Sequence, residues 1–359
     1  MSPWGGVLAL TLVVRDEEDV LPANLDFHLA QGVDVVLVVD HGSSDRTPEI
    51  LRDYERTGRV RTFRDEDDRA HDQVARVNRL LRIAAEEHQA DWVIHCDGDE
   101  FWMPLVGSLR DVFAAVPERF GYIVANRTNF VPVDRNDGNF YDRMVLRERR
   151  SLNLRGDHLE PKVAQRPAAA KSVAPGNHSL EAPVMDPAPA SELVEVLHFP
   201  IRSFAQFERK VLNTGIGYEL LRDRAPGIGI DQLELLDLQR QGKLHDHYAA
   251  QCADPSEVDK GVGGRELLID DRLRAFFAAQ PSRLAESSSV QEALHIAWLA
   301  AEDREYASKK RIAELDAQLT TAHESIAELV QTLETIKSSH IMRMTEPARR
   351  LYYRIRPGS

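Results

Sequence analysis

Hydrophobic and polar positions follow two alternating patterns along the first 105 residues. Continuous apolar runs at 7–14, 33–39, 60–63 and 92–96 predict short strands, and strands covered on both faces of a sheet have this composition. Between these runs, apolar residues recur at helical spacing, at Leu21, Leu25 and Leu29, at Ile50, Leu51 and Tyr54, and at Val74, Val77, Leu81 and Ala84. This order predicts an α/β fold with a Rossmann-like, mostly parallel and doubly wound sheet.

The pattern is less regular from residue 106 onward. Apolar runs at 122–125 and 194–199 predict two further strands. The stretches 166–175 and 183–190 are rich in proline and alanine, which indicates loops. Helical periodicity returns in pieces between residues 203 and 300, as at 203–212 and 267–277.

A heptad pattern occupies residues 312–336 and predicts a coiled coil, and with it a homo-oligomer. A single amphipathic helix folded back on its own domain would carry the same seam, so the sequence leaves both interpretations open. The apolar positions of the seam are Ile312, Leu315, Leu319, Ala322, Ile326, Leu329, Leu333 and Ile336.

The last residues, 341–359, form a basic tail in which five arginines and one glutamate are interleaved with apolar side chains. A basic amphipathic end on an acidic protein suits peripheral contact with an anionic membrane surface. A solvated or disordered end is the alternative.

Charge and cysteine content narrow the class of protein. The 359 residues carry 58 acidic and 45 basic side chains, a formal charge of −13, which argues against a nucleic-acid partner. Two cysteines cannot form a disulfide framework, so a reducing, cytoplasmic compartment is expected. The uncharged N-terminal stretch of 14 residues lacks the basic start of a signal peptide and is too short to span a membrane. A position at the inner face of the cell membrane would require the basic tail.

Acidic residues follow three of the predicted strands. Asp16 and Glu17 come after the first strand, and Asp40 ends the second. Asp97 and Asp99 follow the fourth. Because ligands of open parallel sheets bind beyond the carboxyl ends of the strands, we expect these side chains to meet at one edge.

Two aspartates separated by one small residue can hold Mg²⁺ or Mn²⁺, with water and substrate phosphates as further ligands. Such a cation neutralises the negative charge of a diphosphate leaving group. A separate carboxylate, such as that of Asp40, can accept hydrogen bonds from a ribose or a base. Together these residues predict a nucleotide-diphosphate site.

Three motifs in this order carry a family resemblance. They are Arg15-Asp16-Glu17, the segment 39–47 (VDHGSSDRT) and the segment 97–101 (DGDEF). The chain resembles family 2-type glycosyltransferases with a GT-A fold, in particular a bacterial subgroup with an Asp-x-Asp-Glu-Phe signature, over about residues 7–215. The resemblance implies a metal-dependent hexosyltransferase that uses a nucleotide-sugar donor. Its acceptor would be the hydroxyl of a glycan, a lipid-linked sugar or another molecule in surface polysaccharide or glycoconjugate synthesis.

The resemblance also implies roles for individual residues. Asp40 would contact the nucleoside, Asp97 the ribose and the metal, and Asp99 would be the main metal ligand. His198 would add a further metal ligand, with His178 as the alternative. Many relatives carry a second aspartate where this chain has His41. The other residues expected at the donor are Arg15, Glu17, Gln73, Asn78, Lys162 and Arg202.

Inversion at the anomeric carbon, again implied by the resemblance, needs a base on the acceptor hydroxyl. The candidates are Asp157, Glu160 and Glu181, with His158 as a weaker one, and the sequence does not decide among them. Two other functions stay open: a non-catalytic scaffold that acts through its coiled coil and tail, and a nucleotidyltransferase. The glycine-rich loop expected of the latter is absent after Val14.

The predicted domain order follows. A GT-A-type domain covers 1–205 and a mainly helical extension covers 206–304. The coiled coil then covers 305–340 and the basic tail covers 341–359.

Overall fold

The computed structural model describes residues 4–65, 73–135, 137–152, 158–188, 193–220, 229–253, 266–279 and 287–338, together with 347, 350 and 351. The chain forms two compact units, residues 1–301 and residues 302–359.

The N-terminal third confirms the predicted alternation of strands and helices. Its strands are almost wholly buried, with Leu8, Leu10 and Leu12 of the first strand at 0% exposure. Burial on both faces is the reason their sequences read as continuous apolar runs. The elements are β1 (Leu8–Val14), α1 (Leu21–Ala30), β2 (Val35–Asp40), α2 (Thr47–Glu55), β3 (Val60–Arg64), α3 (Gln73–Glu87), β4 (Trp92–Asp97) and β5 (Glu100–Pro104).

The middle of the chain adds short strands around a central one. Two segments predicted to be loops contain strands, and one of them pairs with the central strand in spite of Pro187. That pairing supplies the hydrogen bonds that composition alone did not reveal. The elements are α4 (Leu109–Ala115), β6 (Phe120–Asn129), α5 (Phe140–Arg143), β7 (Leu146–Glu148), β8 (Lys162–Gln165), β9 (Ser172–Val173), β10 (Leu180–Glu181), β11 (Asp186–Ala188) and β12 (Val194–His198).

A nine-stranded sheet is the centre of the fold, in the order β3-β2-β1-β4-β8-β6-β12-β5 with β11 also paired to β6. The first four strands of this order are mutually parallel. Strand β8 is antiparallel to both of its neighbours, and β5 is antiparallel to β12. The result is a mixed, mostly parallel α/β sheet, consistent with the expected GT-A architecture.

Helices dominate the rest of the chain. Three of them pack around a buried cluster that includes Phe207, Val211, Leu244 and Tyr248. The prediction of a helix over 267–277 is wrong in its first part, because residues Leu267–Ile269 pair with β7 as an antiparallel strand. The elements are α6 (Phe204–Leu220), α7 (Ile230–Arg240), α8 (Leu244–Ala249), β13 (Leu267–Ile269), α9 (Arg272–Ala278) and α10 (Ser287–Ser338).

Helix α10 contains the predicted heptad seam. Its side chains are exposed throughout residues 308–335, and the seam residues Leu315, Leu319 and Leu329 are 47%, 55% and 64% exposed. None of the helices in the described part of the chain is long and apolar enough to cross a bilayer. Most of the basic tail lies outside the described residues.

Candidate active site

The acidic residues predicted to share one sheet edge do so. Strand β1 lies between β2 and β4, so the carboxyl ends of all three strands are adjacent. Val14 is in register with Asp40 on one side, and Val13 is in register with Asp97 on the other. The expected convergence of Asp40 and Asp97 is therefore confirmed.

A cavity of about 260 Å³ opens at this edge, walled by the ends of β1 and β4 and by helices α3 and α6. Carboxylates and cations line it in equal number, which suits a ligand that carries both hydroxyl groups and anionic groups. The charged lining residues are Asp16, Glu17, Asp97, Asp99, Arg15, Arg76, Arg209 and Lys210.

Asp16 connects the segments that form the cavity wall through its hydrogen bonds. Its backbone has a φ of 54°, a left-handed conformation that few non-glycine residues adopt. Its carboxylate accepts hydrogen bonds from the amide of Ser44 at 2.6 Å and from the side chain of Asn213 at 2.6 Å. Burial would raise the pKa of Asp16, but these bonds outweigh it and lower the pKa. Asp16 thus joins the β1 end, the loop after β2 and helix α6.

Asp40 also organises its own loop. The side chain is buried and accepts a hydrogen bond from the Ser43 amide at 3.0 Å. The adjacent His41 lines the cavity, whereas Asp40 is not among the lining residues. The loop that Asp40 stabilises therefore brings His41 to the site.

Asp97 is neutralised from behind by a buried lysine. The Lys162 ammonium, 1% exposed, lies 2.5 Å from Asp97 and 3.0 Å from Glu100. Burial would raise the pKa of Asp97, but Lys162 outweighs it and lowers the pKa. The other oxygen of Asp97 receives longer bonds from Gln73 at 3.2 Å and Asn177 at 3.3 Å. The outer part of Asp97 faces the cavity.

Asp99 faces two cationic side chains. Lys210 donates a hydrogen bond to its Oδ2, and Arg202 lies 3.8 Å from the same oxygen. Burial opposes ionisation, but Lys210 and His198 hold the pKa of Asp99 well below its usual range.

Asp99 and His198 place an oxygen atom and a ring nitrogen atom 3.6 Å apart. His198 donates from Nδ1 to Asn129 at 2.7 Å, which leaves Nε2 facing Asp99 Oδ1 at 3.6 Å. Burial lowers the pKa of His198, and the neighbouring Asp99 opposes this effect. A hydrogen bond that orients the other ring nitrogen is typical of histidines that bind metal. Among the described residues no group of three or more protein ligands is present.

Arg202 is enclosed by carboxylates. Its guanidinium is 0% exposed and contacts Glu17 at 2.5 Å and Asp19 at 2.7 Å. Counting Asp99 and Lys210, three carboxylates face two cations, so one carboxyl can retain a proton. Burial raises the pKa of Glu17 to about 7 against the opposing effect of Arg202. Arg202 and Lys162 are not among the described lining residues of the cavity. Each of them forms ion pairs with carboxylates of the protein itself.

The Arg15 side chain offers a hydrogen-bond donor to the cavity. Its Nε is buried and has no hydrogen-bond partner among the residues that the structure describes, and the side chain lines the cavity. A buried donor without a partner costs free energy, which a bound anion would recover. Arg15 is therefore a more suitable diphosphate contact than Lys162 or Arg202.

The other predicted site residues that the structure describes are not part of the cavity lining. Asn78 accepts a hydrogen bond from the Val173 amide at 2.9 Å and so ties α3 to β9. His178 contacts Glu160 and the carbonyl of Pro161. Glu181 accepts a bond from Ser172 at 2.5 Å. The base candidates Glu160, Glu181 and His158 do not appear in the described cavity lining, and Asp157 lies outside the described residues.

Sequence reasoning missed one whole wall of the cavity. Helix α6 presents Gln206, Lys210, Asn213 and Gly217 to it. Their spacing of four, three and four residues places them on one helical face. The run 203–212 was predicted to be helical, but its polar face was not connected with the acidic edge.

Comparisons with known proteins agree with this location. Residues 11–168 match the family model described as glycosyl transferase family 2. No curated protein sequence matches the chain.

Two solved structures illustrate the structural comparison. S. aureus TarS 1–349 in complex with UDP-GlcNAc is 13% identical over 69% of this chain and 82% of that one, with a TM-score of 0.38. Glucosyl-3-phosphoglycerate synthase from Mycobacterium tuberculosis, in complex with Mn²⁺ and UDP-glucose, is 18% identical over 34% of this chain and 44% of that one, with a TM-score of 0.25. At these TM-scores the likeness supports no conclusion about donor, metal or acceptor.

Proposed function

We propose, from the match of residues 11–168 to the family model described as glycosyl transferase family 2, that the chain is a metal-dependent transferase of a hexosyl group. The donor is a nucleotide-diphosphate sugar and the acceptor is a hydroxyl of a glycan or a lipid-linked sugar. The observation that carries the proposal is the mixed-charge cavity at the carboxyl ends of β1 and β4, where Asp97 and Asp99 face Arg15. Bacterial surface polysaccharide or glycoconjugate synthesis is the proposed setting.

In this proposal Asp99 and His198 hold Mn²⁺ or Mg²⁺, with Asp97 adjacent. Two protein ligands are enough, because these cations keep several waters and take substrate phosphates as ligands. Such a cation would supply positive charge that neutralises the diphosphate leaving group. Arg15 binds a phosphate through its unpartnered Nε, and Lys210 holds Asp99 in place.

We further propose that the reaction inverts the anomeric carbon by direct displacement. The acceptor oxygen forms a bond to that carbon as the bond to the diphosphate breaks, and the hydroxyl proton passes to a carboxylate base. Asp157, Glu160 and Glu181 remain the sequence-based candidates for the base.

A panel of nucleoside diphosphates tests the function. With Mn²⁺ present, we expect one base to stabilise the protein by about 2.7 kcal/mol at a concentration one hundred times its Kd. Thermal unfolding measures the shift, and Arg15→Met should lose most of it while the exposed Arg135→Met keeps it. Absence of any shift with all diphosphates, together with no hydrolysis of any nucleotide sugar, would refute the proposal.

We also propose that the chain forms a homo-oligomer through residues 312–336. The six leucine and isoleucine side chains of the seam between Ile312 and Leu333 are each at least 47% exposed, and a second helix packed along the seam would cover them. Leu319→Asp would bury an unpaired carboxylate in the seam and is expected to give monomers. Sedimentation at micromolar concentration measures this, with Ala317→Asp on the outer face of the same helix as control. Equal masses for both variants would contradict the coiled coil.

Peripheral attachment of the tail, 341–359, to the inner face of the membrane stays a proposal from the sequence. Its five arginines are the observation that supports it. Sedimentation with anionic vesicles at low salt tests it, and an intact protein that stays in the supernatant would remove it.

A further inference from the structure

A buried asparagine of α1 binds the turn that carries Asp99. Gly98 and Asp99 connect the end of β4 to the start of β5. The carbonyl groups of the residues on either side of Asp99, Gly98 and Glu100, accept hydrogen bonds from the side-chain amide of Asn24 at 3.1 and 2.8 Å. Asn24 is 0% exposed. The two bonds hold the backbone immediately before and after Asp99, and this backbone sets the direction of the Asp99 side chain.

His28 orients the amide of Asn24. Burial lowers the pKa of His28 to about 4, so the ring is neutral. Its Nε2 accepts a hydrogen bond from the backbone amide of Trp102 at 3.3 Å, and because that amide can only donate, the ring proton is on Nδ1. Nδ1 therefore donates to the side-chain oxygen of Asn24, at 3.1 Å. Since this bond occupies the oxygen of the Asn24 amide, the NH₂ group faces the turn with both of its protons.

The packing of α1 does not require this polar pair. The buried face of the helix is otherwise apolar, with Leu21, Leu25 and Phe27 at 0% exposure. Burying an amide and an imidazole in such a face costs free energy unless both are hydrogen-bonded, and apolar side chains would avoid that cost. The pair provides what leucine could not, two donors directed at the carbonyls beside Asp99.

We propose that Asn24 is a positioning residue for Asp99 and that His28 orients Asn24. Neither is among the described lining residues of the cavity, so both act through the backbone of the turn. They set the place of the Asp99 carboxylate relative to His198 without contact with a ligand. This inference rests on the proposed function, in which Asp99 and His198 hold the cation.

Titration of the full chain with Mn²⁺ alone, followed by the electron paramagnetic resonance signal of the free ion, tests the inference without turnover. Asn24→Asp keeps the size of the side chain but has at most one proton for two carbonyls. We expect its Kd for Mn²⁺ to rise by about 10- to 100-fold, the usual effect of removing a group that orients a metal ligand.

Leu29→Ala is the control for loss of stability. Leu29 lies in the same helix and packs against the main hydrophobic core. We expect this variant to unfold at a lower temperature with an unchanged Kd for Mn²⁺. A variant that is only less stable has fewer folded molecules and fewer sites, but its folded molecules keep their affinity.

Two substitutions of His28 test the same inference if Asn24→Asp does not fold. In His28→Asn the side-chain Nδ2 takes the place of the ring Nδ1 as donor to Asn24, whereas His28→Leu has no donor. We expect about tenfold weaker Mn²⁺ binding in His28→Leu and nearly unaltered binding in His28→Asn. A purely structural role would give the opposite order, because leucine suits the apolar face of α1 better than asparagine.

The outcomes separate this inference from the proposed function. Unchanged Mn²⁺ affinity in Asn24→Asp, or equal affinities of His28→Leu and His28→Asn, overturns the inference, and turnover by the unaltered protein then leaves the proposed function standing. If the unaltered protein binds neither Mn²⁺ nor any nucleoside diphosphate, both are overturned. A thermal unfolding midpoint close to that of Leu29→Ala shows that a variant is folded.

Discussion

Replacing Asp99 with asparagine is expected to reduce turnover of a nucleotide-sugar donor by about 10²- to 10³-fold, the range for loss of one preorganised electrostatic group. Asparagine keeps the shape of the side chain but removes the charge that faces His198 at 3.6 Å and binds Lys210. The proposed cation would lose its anionic ligand. Steady-state hydrolysis and transfer at saturating Mn²⁺ measure the effect.

Asp137→Asn is the control for this experiment. Asp137 is 66% exposed and pairs with Arg135 at the surface, so its replacement should leave turnover unchanged. Calorimetric titration with Mn²⁺ adds a readout that does not depend on chemistry, and the Asp99 variant should bind the ion more weakly. Full activity in a folded Asp99→Asn protein would reject the proposed site.

Replacing Arg202 with methionine is expected to lower the free energy of unfolding by about 3–5 kcal/mol. Methionine fills much of the same space, but Glu17 and Asp19 would lose the guanidinium that lies within 2.7 Å of each. Glu17, 13% exposed, and Asp19, 33% exposed, would then lose their shared counter-ion. Urea unfolding, extrapolated linearly to zero denaturant, measures the loss.

The matched control is Arg135→Met, which removes a surface guanidinium that is 61% exposed. Its effect should stay within about 0.5 kcal/mol, as for most exposed ion pairs. Equal stabilities of the two variants would show that Arg202 does not act as a buried counter-ion.

The sequence predicted the location of the site but not all of its walls. Buried strands have a composition that can be recognised locally, and parallel order then brings Asp40 and Asp97 to one edge whatever the loops do. The number of carboxylates that surround a lysine or arginine side chain depends on the tertiary fold and cannot be predicted from the neighbouring sequence. Lys162 and Arg202 were therefore expected at the donor, although each is paired with two carboxylates of the protein itself.

Tertiary pairing explains the errors in secondary structure. The segment Leu267–Ile269 has a helix-compatible sequence and becomes a strand because β7 offers it an unpaired edge. The short strand Asp186–Ala188 likewise depends on β6, more than fifty positions earlier in the chain. Partners at such separation leave no periodic signal.

The hydrogen bonds of Asp16 limit where the chain can be truncated. One carboxylate binds the Ser44 amide and the Asn213 side chain, so the nucleotide edge and the sixth helix are built as a single piece. A shortened chain that stops at residue 205 would keep the three sequence motifs. It would lose the wall of the cavity that helix α6 forms. A chimera that exchanges the C-terminal part of the chain with that of a relative should therefore be joined after residue 217, so that the polar face of α6 stays with the strands it packs against.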